Sequence, residues 1–224
     1  MNSVKPQYNP YRFYYNHFPH NRFSKDAFGE FTKKDLLFYS YEDKPLELIA
    51  DEKFEKKHDL YLGKSANRYD VLILRDPFNL FASRLKMMDS KSGKVNLLSK
   101  DSINLWISYA QEFLGETNYL TQNKVFINYN QWFCEQEYRK EISDKLDLEF
   151  SDLGLEKVKG QGGGSSFDKL DLTGKASQMK VLERWQHFRD DPRFISIFKN
   201  EKLWHYSEKI FGKISGTDCL LSKV

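Results

Sequence analysis

Continuous apolar runs that end in polar residues mark the predicted strands of this chain. VLILR at residues 71–75 is apolar until Arg75, and KVFINY at residues 124–129 has the same character. A similar run, DLLFYSYED, lies earlier, at residues 35–43. Runs of this kind are typical of strands that are covered on both faces, as in parallel sheets. The pattern therefore predicts three buried strands.

Apolar residues at helical spacing predict helices between and after these strands. The clearest case is residues 101–114, where Trp106 and Ala110 fall on one side and Asp101 or Ser102 can cap the N-terminus. The other predicted helices cover residues 45–57, 78–88, 131–145, 175–189 and 198–211. Alternating strands and helices predict the α/β class, here a three-layer domain around a central, mostly parallel sheet.

The domain organisation follows from the positions of these elements. Residues 1–34 are aromatic, polar and weakly periodic, so an irregular N-terminal segment is predicted there. Residues 35–214 form the predicted α/β domain, and residues 215–224 the predicted C-terminal tail. The 224 residues, 40% of them hydrophobic, are enough for one sizeable domain with a packed core.

Charge and cysteine content narrow the classes of function. The formal net charge of +3 is small and the basic residues are dispersed, so no nucleic-acid partner is predicted. Cys134 and Cys219 form no CxxC pair and no cluster with the histidines, so no metal site is predicted. Two such cysteines fit a reducing compartment. With no signal-peptide pattern and no apolar run of membrane-spanning length, a cytoplasmic protein is expected.

The sharpest chemical feature is YDVLILRDPFNLFASR, residues 69–84. A buried strand ends at Arg75, the chain turns, and a helix then presents Ser83. Ligands of open α/β sheets bind outside the carboxyl ends of the strands, where Arg75 would lie. The planar guanidinium suits a phosphate, and the hydroxyl of Ser83 can add a donor. Alternatively, Arg75 is a surface salt-bridge partner beside a common helix-entry tripeptide.

This spacing resembles a known motif. Arg75, Asp76 and Pro77, with Ser83 eight residues after Arg75, are similar to the 3′-phosphate-binding motif of the sulfotransferases that use 3′-phosphoadenosine 5′-phosphosulfate. The resemblance extends over about residues 36–212. It implies the P-loop-NTPase-like sulfotransferase fold, that nucleotide as co-substrate, no metal, and Arg75 and Ser83 as the residues that hold its 3′-phosphate.

Two later segments add to the resemblance. Tyr129, at the end of KVFINY, corresponds to a strand end that lies near the adenine in that family. Lys159 and Gly160, in KGQGGGSSF, correspond to a basic, glycine-containing loop that closes over the donor. Other interpretations stay open: Tyr129 as a packing residue, Lys159 as a solvated charge, and the glycines at 162–164 as a flexible loop.

The family's N-terminal loop for the 5′-phosphosulfate is not recognisable. The glycines before Arg75 are Gly29 and Gly63, and neither lies in a phosphate-loop pattern. The chain could begin after that loop, the loop could have degenerated, or a partner chain could supply it. A P-loop kinase relative would need the same loop.

Two functions are therefore expected as alternatives. The first is transfer of a sulfuryl group from the nucleotide donor to a hydroxyl of a carbohydrate or small-molecule acceptor. Glu42, at the polar end of the first predicted strand, is then the candidate general base, unless the sequence there is only a polar strand exit. The second is a non-catalytic or truncated nucleotide-binding module. Neither requires a membrane span or a nucleic acid.

Overall fold

The computed structural model describes residues 41, 43–50, 66–90, 98, 100–160 and 164–221. The chain divides into two units, Met1–Arg68 and Tyr69–Val224. In the first unit, helix α1 (Leu46–Ile49) follows Pro45, and Leu46 is buried. This helix falls within the one predicted at 45–57 and ends at Ile49; residues 51–57 lie outside the described residues. The strand predicted at 35–43 also lies outside them, except for Tyr41 and Asp43.

The second unit contains a parallel pair of strands, β1 (Val71–Leu74) and β2 (Val125–Asn128). Val71 lies opposite Val125, and Leu74 opposite Asn128. Both strands lie where the apolar runs predict them. The described part of the chain is thus a mixed α/β structure with a small two-stranded parallel sheet and several helices. Because the pair is parallel, the residues that follow β1 and β2 meet at one edge of the sheet.

In the described part of the connection between the strands, two helices lie where the helical spacing predicts them. Helix α2 (Pro77–Ser90) begins with a proline, which suits the first turn because that position needs no N–H donor. Helix α3 (Lys100–Phe113) buries Trp106, Ile107 and Ala110.

The helix predicted at 131–145 is two helices, α4 (Tyr129–Cys134) and α5 (Gln136–Lys145). Glu135 between them has extended backbone angles. Asn128 caps α4 by accepting from the backbone N–H groups of the second and third residues of that helix, at 3.0 and 3.3 Å. This cap explains why the helix begins directly where β2 ends.

The helix predicted at 175–189 is wrong. The segment contains two short 3₁₀ stretches, Ala176–Gln178 and Arg184–Phe188. The side chain of Asn79 donates to the carbonyl of Leu182 and accepts from the backbone N–H of Trp185. These tertiary hydrogen bonds use backbone groups that a continuous helix would pair internally.

The chain closes with helices α6 (Pro192–Ile197), α7 (Glu201–Phe211) and α8 (Asp218–Leu221). Helix α7 is the C-terminal part of the helix predicted at 198–211. Helix α8 lies within the stretch that the sequence assigns to a tail, and its Leu220 is fully buried. The main hydrophobic cluster joins side chains of β1, α2, α3, α6, α7 and α8, among them Leu74, Phe81, Trp106, Phe194, Leu203 and Leu220.

Candidate functional site

Arg75 and Ser83 lie next to each other after β1. The strand ends at Leu74, the chain turns into α2, and Nη1 of Arg75 donates to Oγ of Ser83 at 3.3 Å. Oγ of Ser83 in turn donates to the carbonyl of Asn79 at 2.9 Å, one helical turn earlier. The hydroxyl proton is therefore used within the helix, and the oxygen lone pairs face the arginine.

A buried network holds the turn between β1 and α2 in place. The carboxylate of Asp76 accepts from the backbone N–H of Asn79 at 2.8 Å and from its amide nitrogen at 3.1 Å. Nε1 of Trp106 donates to the carbonyl of Arg75 at 2.9 Å. Both Asp76 and Asn79 are completely buried. The backbone on either side of the Arg75 side chain is thus fixed from two helices.

A second arginine reaches the same hydroxyl from the far end of the chain. Arg184 is buried, and its Nη1 donates to Oγ of Ser83 at 3.2 Å. Its Nη2 donates to Oγ of Ser165 at 2.8 Å and pairs with Asp168 at 3.3 Å. Arg184 is not among the site residues that the sequence predicts. No local signal marks it, because only the fold brings it across 101 positions to Ser83.

Two buried guanidinium groups next to each other are electrostatically unfavourable when no anion lies between them. Desolvation lowers the pKa of Arg75; the carboxylate of Asp76 opposes that shift, and the positive charge of Arg184 adds to it. Desolvation also lowers the pKa of Arg184, against the opposing effect of Asp168. Nε of Arg75 is buried and has no hydrogen-bond partner in the described part of the chain. An oxyanion at this point would receive several directed donors and would offset the repulsion.

Asp76, the neighbour of Arg75 in the sequence, supplies a negative charge that opposes the downward shift of the Arg75 pKa. Burial raises the pKa of its carboxyl group, although the positive charge of Arg75 and the hydrogen bonds from Asn79 oppose the shift. The side chain of Asp76 is completely buried. It orients the turn and leaves the donors of Arg75 directed elsewhere, toward Ser83 and the carbonyl of Val181.

Tyr129 lies beside Arg75, as expected for residues that follow neighbouring parallel strands. The guanidinium carbon of Arg75 is 5.2 Å from the centroid of the Tyr129 ring. The ring also stacks with Trp132 at 6.0 Å and with Phe133 at 6.2 Å between centroids. An aromatic face therefore borders the arginine at this edge of the sheet.

Lys159 and Gly160, two further predicted site residues, are not joined to this cluster. Lys159 and Gly160 are exposed, and within the described residues no hydrogen bond or ion pair joins them to Arg75, Ser83 or Arg184. Glu42 lies outside the described residues.

An open cleft of about 500 Å³ lies against Arg184. Lys86 and Lys180 line it together with Asp168, and the ring of Phe167 lies within it. The guanidinium carbon of Arg184 is 5.1 Å from the centroid of that ring. Arg184 therefore contributes both to the cluster around Ser83 and to the cleft.

The part of the chain that the structure describes lacks two features. None of its helices has the length and apolar character needed to cross a membrane. No three His, Cys, Asp or Glu side chains in it form a group that could hold a metal ion.

No protein-family model, curated protein or solved structure matches this chain. The resemblance to the sulfotransferases therefore stays a prediction from the motif residues of the sequence.

Proposed function

We propose that this chain is a sulfotransferase-like protein that binds 3′-phosphoadenosine 5′-phosphosulfate, with the 3′-phosphate held by Arg75, Ser83 and Arg184. The observation that carries this proposal is the approach of two guanidinium groups to one hydroxyl, at 3.3 and 3.2 Å. Such a cluster of convergent donors matches the oxygens of a phosphate monoester. The proposal includes the complete three-layer, P-loop-NTPase-like sulfotransferase fold around the parallel pair of strands.

Each residue then has a distinct part in binding. The two arginines donate to phosphate oxygens, and the hydroxyl of Ser83 can turn its proton from the carbonyl of Asn79 to the ligand. Tyr129 presents its ring toward the adenosine. Lys159 and Gly160 belong to the loop that closes over the nucleotide. Because the arginines are largely desolvated, their attraction for the phosphate is stronger than at an exposed site.

The proposed reaction is transfer of the sulfuryl group to a hydroxyl of a carbohydrate or small molecule. The acceptor oxygen forms a bond to sulfur as the bond between sulfur and the bridging phosphate oxygen breaks, so that adenosine 3′,5′-bisphosphate leaves. Glu42 is the residue proposed to take the proton from the acceptor hydroxyl. A second candidate function is a non-catalytic or truncated nucleotide-binding module. The sequence favours it at one point, because neither Gly29 nor Gly63 lies in a phosphate-loop pattern.

The binding proposal is tested by calorimetric titration with adenosine 3′,5′-bisphosphate, using 5′-AMP to isolate the 3′-phosphate. The bisphosphate is expected to bind the unaltered chain with clear preference. Arg75→Ala removes a charge-assisted pair and should weaken bisphosphate binding at least about tenfold, while Ser83→Ala should weaken it by a smaller factor. Arg193→Ala is the matched control, because Arg193 pairs with Asp89 and Asp191 at an exposed position.

Equal affinity for both nucleotides, or unchanged affinity in a folded Arg75→Ala chain, would contradict the proposed site. Arg75→Lys keeps the charge and loses the planar fork, so it separates loss of binding from loss of fold. Sulfuryl transfer to a panel of hydroxyl acceptors then distinguishes the enzyme from the binding module. In an active chain, Glu42→Gln should reduce turnover and spare bisphosphate binding.

A further inference from the structure

The cleft beside Arg184 has an excess of positive charge. Lys86, Lys180 and Arg184 oppose the single carboxylate of Asp168 in its lining. Arg184 is already held by Asp168 and by Ser165, so the two lysines are the cations available to a ligand in the cleft. Both lysine side chains are exposed.

Lys180 is held only weakly by its ion pair. Its Nζ lies 3.4 Å from a carboxylate oxygen of Glu183, three residues later, and both side chains are more than half exposed. Exposed pairs of this kind have little net strength, because both partners are well solvated. Lys180 can therefore exchange this partner for an anion in the cleft at small cost.

An aromatic surface lies among these charges. Nζ of Lys86 is 5.8 Å from the centroid of the Phe167 ring, and the ring of His187 lies 5.1 Å away at an angle of 41°. Phe167 is only half-buried. A partly exposed phenyl ring beside two cations offers stacking area to a ring and ion pairs to the groups that the ring carries.

From this arrangement we propose that the cleft binds an anionic ring compound, a sugar or aromatic ring that carries a phosphate, sulfate or carboxylate. The anion pairs with Lys86 and Lys180, and the face of the ring packs on Phe167. The volume of about 500 Å³ suits one or two rings. The cleft shares Arg184 with the cluster around Ser83, but its ligand is held by Lys86, Lys180 and Phe167, so the proposal does not depend on the proposed function.

The test measures binding of defined probes to the full chain by calorimetry. Glucose 6-phosphate and 4-nitrophenyl phosphate carry the two kinds of ring, and inorganic phosphate, glucose and 4-nitrophenol supply the separate parts. At least one ring phosphate should bind at least about tenfold more tightly than each of its parts, because it makes both contacts at once. Whether the sugar or the aromatic probe binds identifies the kind of ring.

Single substitutions test which side chains contact the ring phosphate. Lys86→Ala and Lys180→Ala should each weaken the ring phosphate several-fold. Phe167→Leu should weaken it as well and leave inorganic phosphate unaffected. Lys140→Ala is the matched control: Lys140 also pairs with a glutamate three residues away and lies 5.9 Å from the ring of Phe150, but it does not line the cleft.

Arg75→Ala separates this proposal from the proposed function, because it should weaken bisphosphate binding at least about tenfold and leave binding of the ring phosphate unchanged. The cleft proposal is overturned if neither ring phosphate binds at millimolar concentration. It is also overturned if both lysine variants bind as the unaltered chain does, or if inorganic phosphate binds as tightly as the ring compounds.

Discussion

Glu112 in helix α3 shows how a single buried charge can organise the entry into a strand. Its side chain is completely buried. The carboxylate accepts from Oγ1 of Thr117 at 2.6 Å, from the backbone N–H groups of Tyr119 and Leu120, and from Nζ of Lys124 at 3.2 Å. One side chain thus fixes the turn between α3 and β2. Removing its charge would leave several buried donors poorly matched.

The stability that Glu112 provides should depend on pH. Burial favours the protonated form, but the hydrogen bonds outweigh it and lower the pKa of Glu112 below its ordinary value of 4.5. A carboxyl group whose pKa is lower in the folded state stabilises the fold above the unfolded pKa, and this contribution is lost as the pH falls through the folded pKa. Glu112→Gln should lower the free energy of unfolding on the order of 2 kcal/mol at pH 7.

Urea denaturation at pH 7 and at pH 3 measures this effect. The difference between the unaltered chain and Glu112→Gln should shrink at the lower pH, because the carboxylate is then becoming protonated. Glu137→Gln is the control, since Glu137 is exposed and pairs only at the surface. A difference that stays constant between the two pH values would show that the charge of Glu112 is not what stabilises the turn.

At the scale of elements, the side chain of Asn79 attaches helix α2 to the C-terminal part of the chain by two hydrogen bonds, in addition to the apolar contacts of the main hydrophobic cluster. Asn79 receives the backbone N–H of Trp185 at 3.2 Å and donates to the carbonyl of Leu182 at 3.0 Å. It also donates to the carboxylate of Asp76. The segment that carries Arg184 is therefore positioned by the same helix that carries Ser83.

Replacing this side chain should destabilise the molecule strongly. Asn79→Ala leaves a buried carbonyl, a buried N–H and part of a buried carboxylate without partners, which should cost roughly 2–4 kcal/mol. Asn200→Ala is the matched control; it removes only the cap of α7, worth about 1 kcal/mol. Chemical denaturation of both variants measures the difference. Equal losses would mean that Asn79 does not carry the attachment.

The elements also show which parts of the molecule a sequence can predict. The apolar runs predict β1 and β2 because strand burial is a property of consecutive residues, and the motif predicts the approach of Arg75 to Ser83 because both follow one turn. Arg184 is not predicted, because its position depends on hydrogen bonds between segments distant in sequence. The same hydrogen bonds explain why a helix pattern at 175–189 gives short 3₁₀ stretches.

At the scale of the whole molecule, the main hydrophobic cluster extends to the last described helix. Leu220 in α8 is completely buried within the cluster that also contains Phe81 and Leu203. Gly216, just before this helix, has φ +84°, and a Cβ there would lie 3.3 Å from the ring of Trp185. The chain thus passes close to the tryptophan beside Arg184 before it enters the core.

Leu220→Ala should therefore act as a core mutation. It removes a fully buried side chain and should lower the free energy of unfolding by about 2–5 kcal/mol. Leu221→Ala, at the neighbouring position, is the control, because that side chain is 51% exposed. Thermal or urea unfolding of the two variants measures the difference between their free energies of unfolding. A small effect of Leu220→Ala would place α8 outside the cooperative core.

The distance along the chain between Ser83 and Arg184 has a consequence for biosynthesis. Residues 181–185 leave the ribosome long after β1, α2, α3 and β2. Until they arrive, the amide of Asn79 lacks two of its partners and Arg75 lacks the carbonyl of Val181. These polar groups then remain hydrated, since burying them unpaired would cost free energy. The cluster of Arg75, Ser83 and Arg184 is therefore completed late in synthesis, because a nascent chain that ends before Arg184 cannot assemble it.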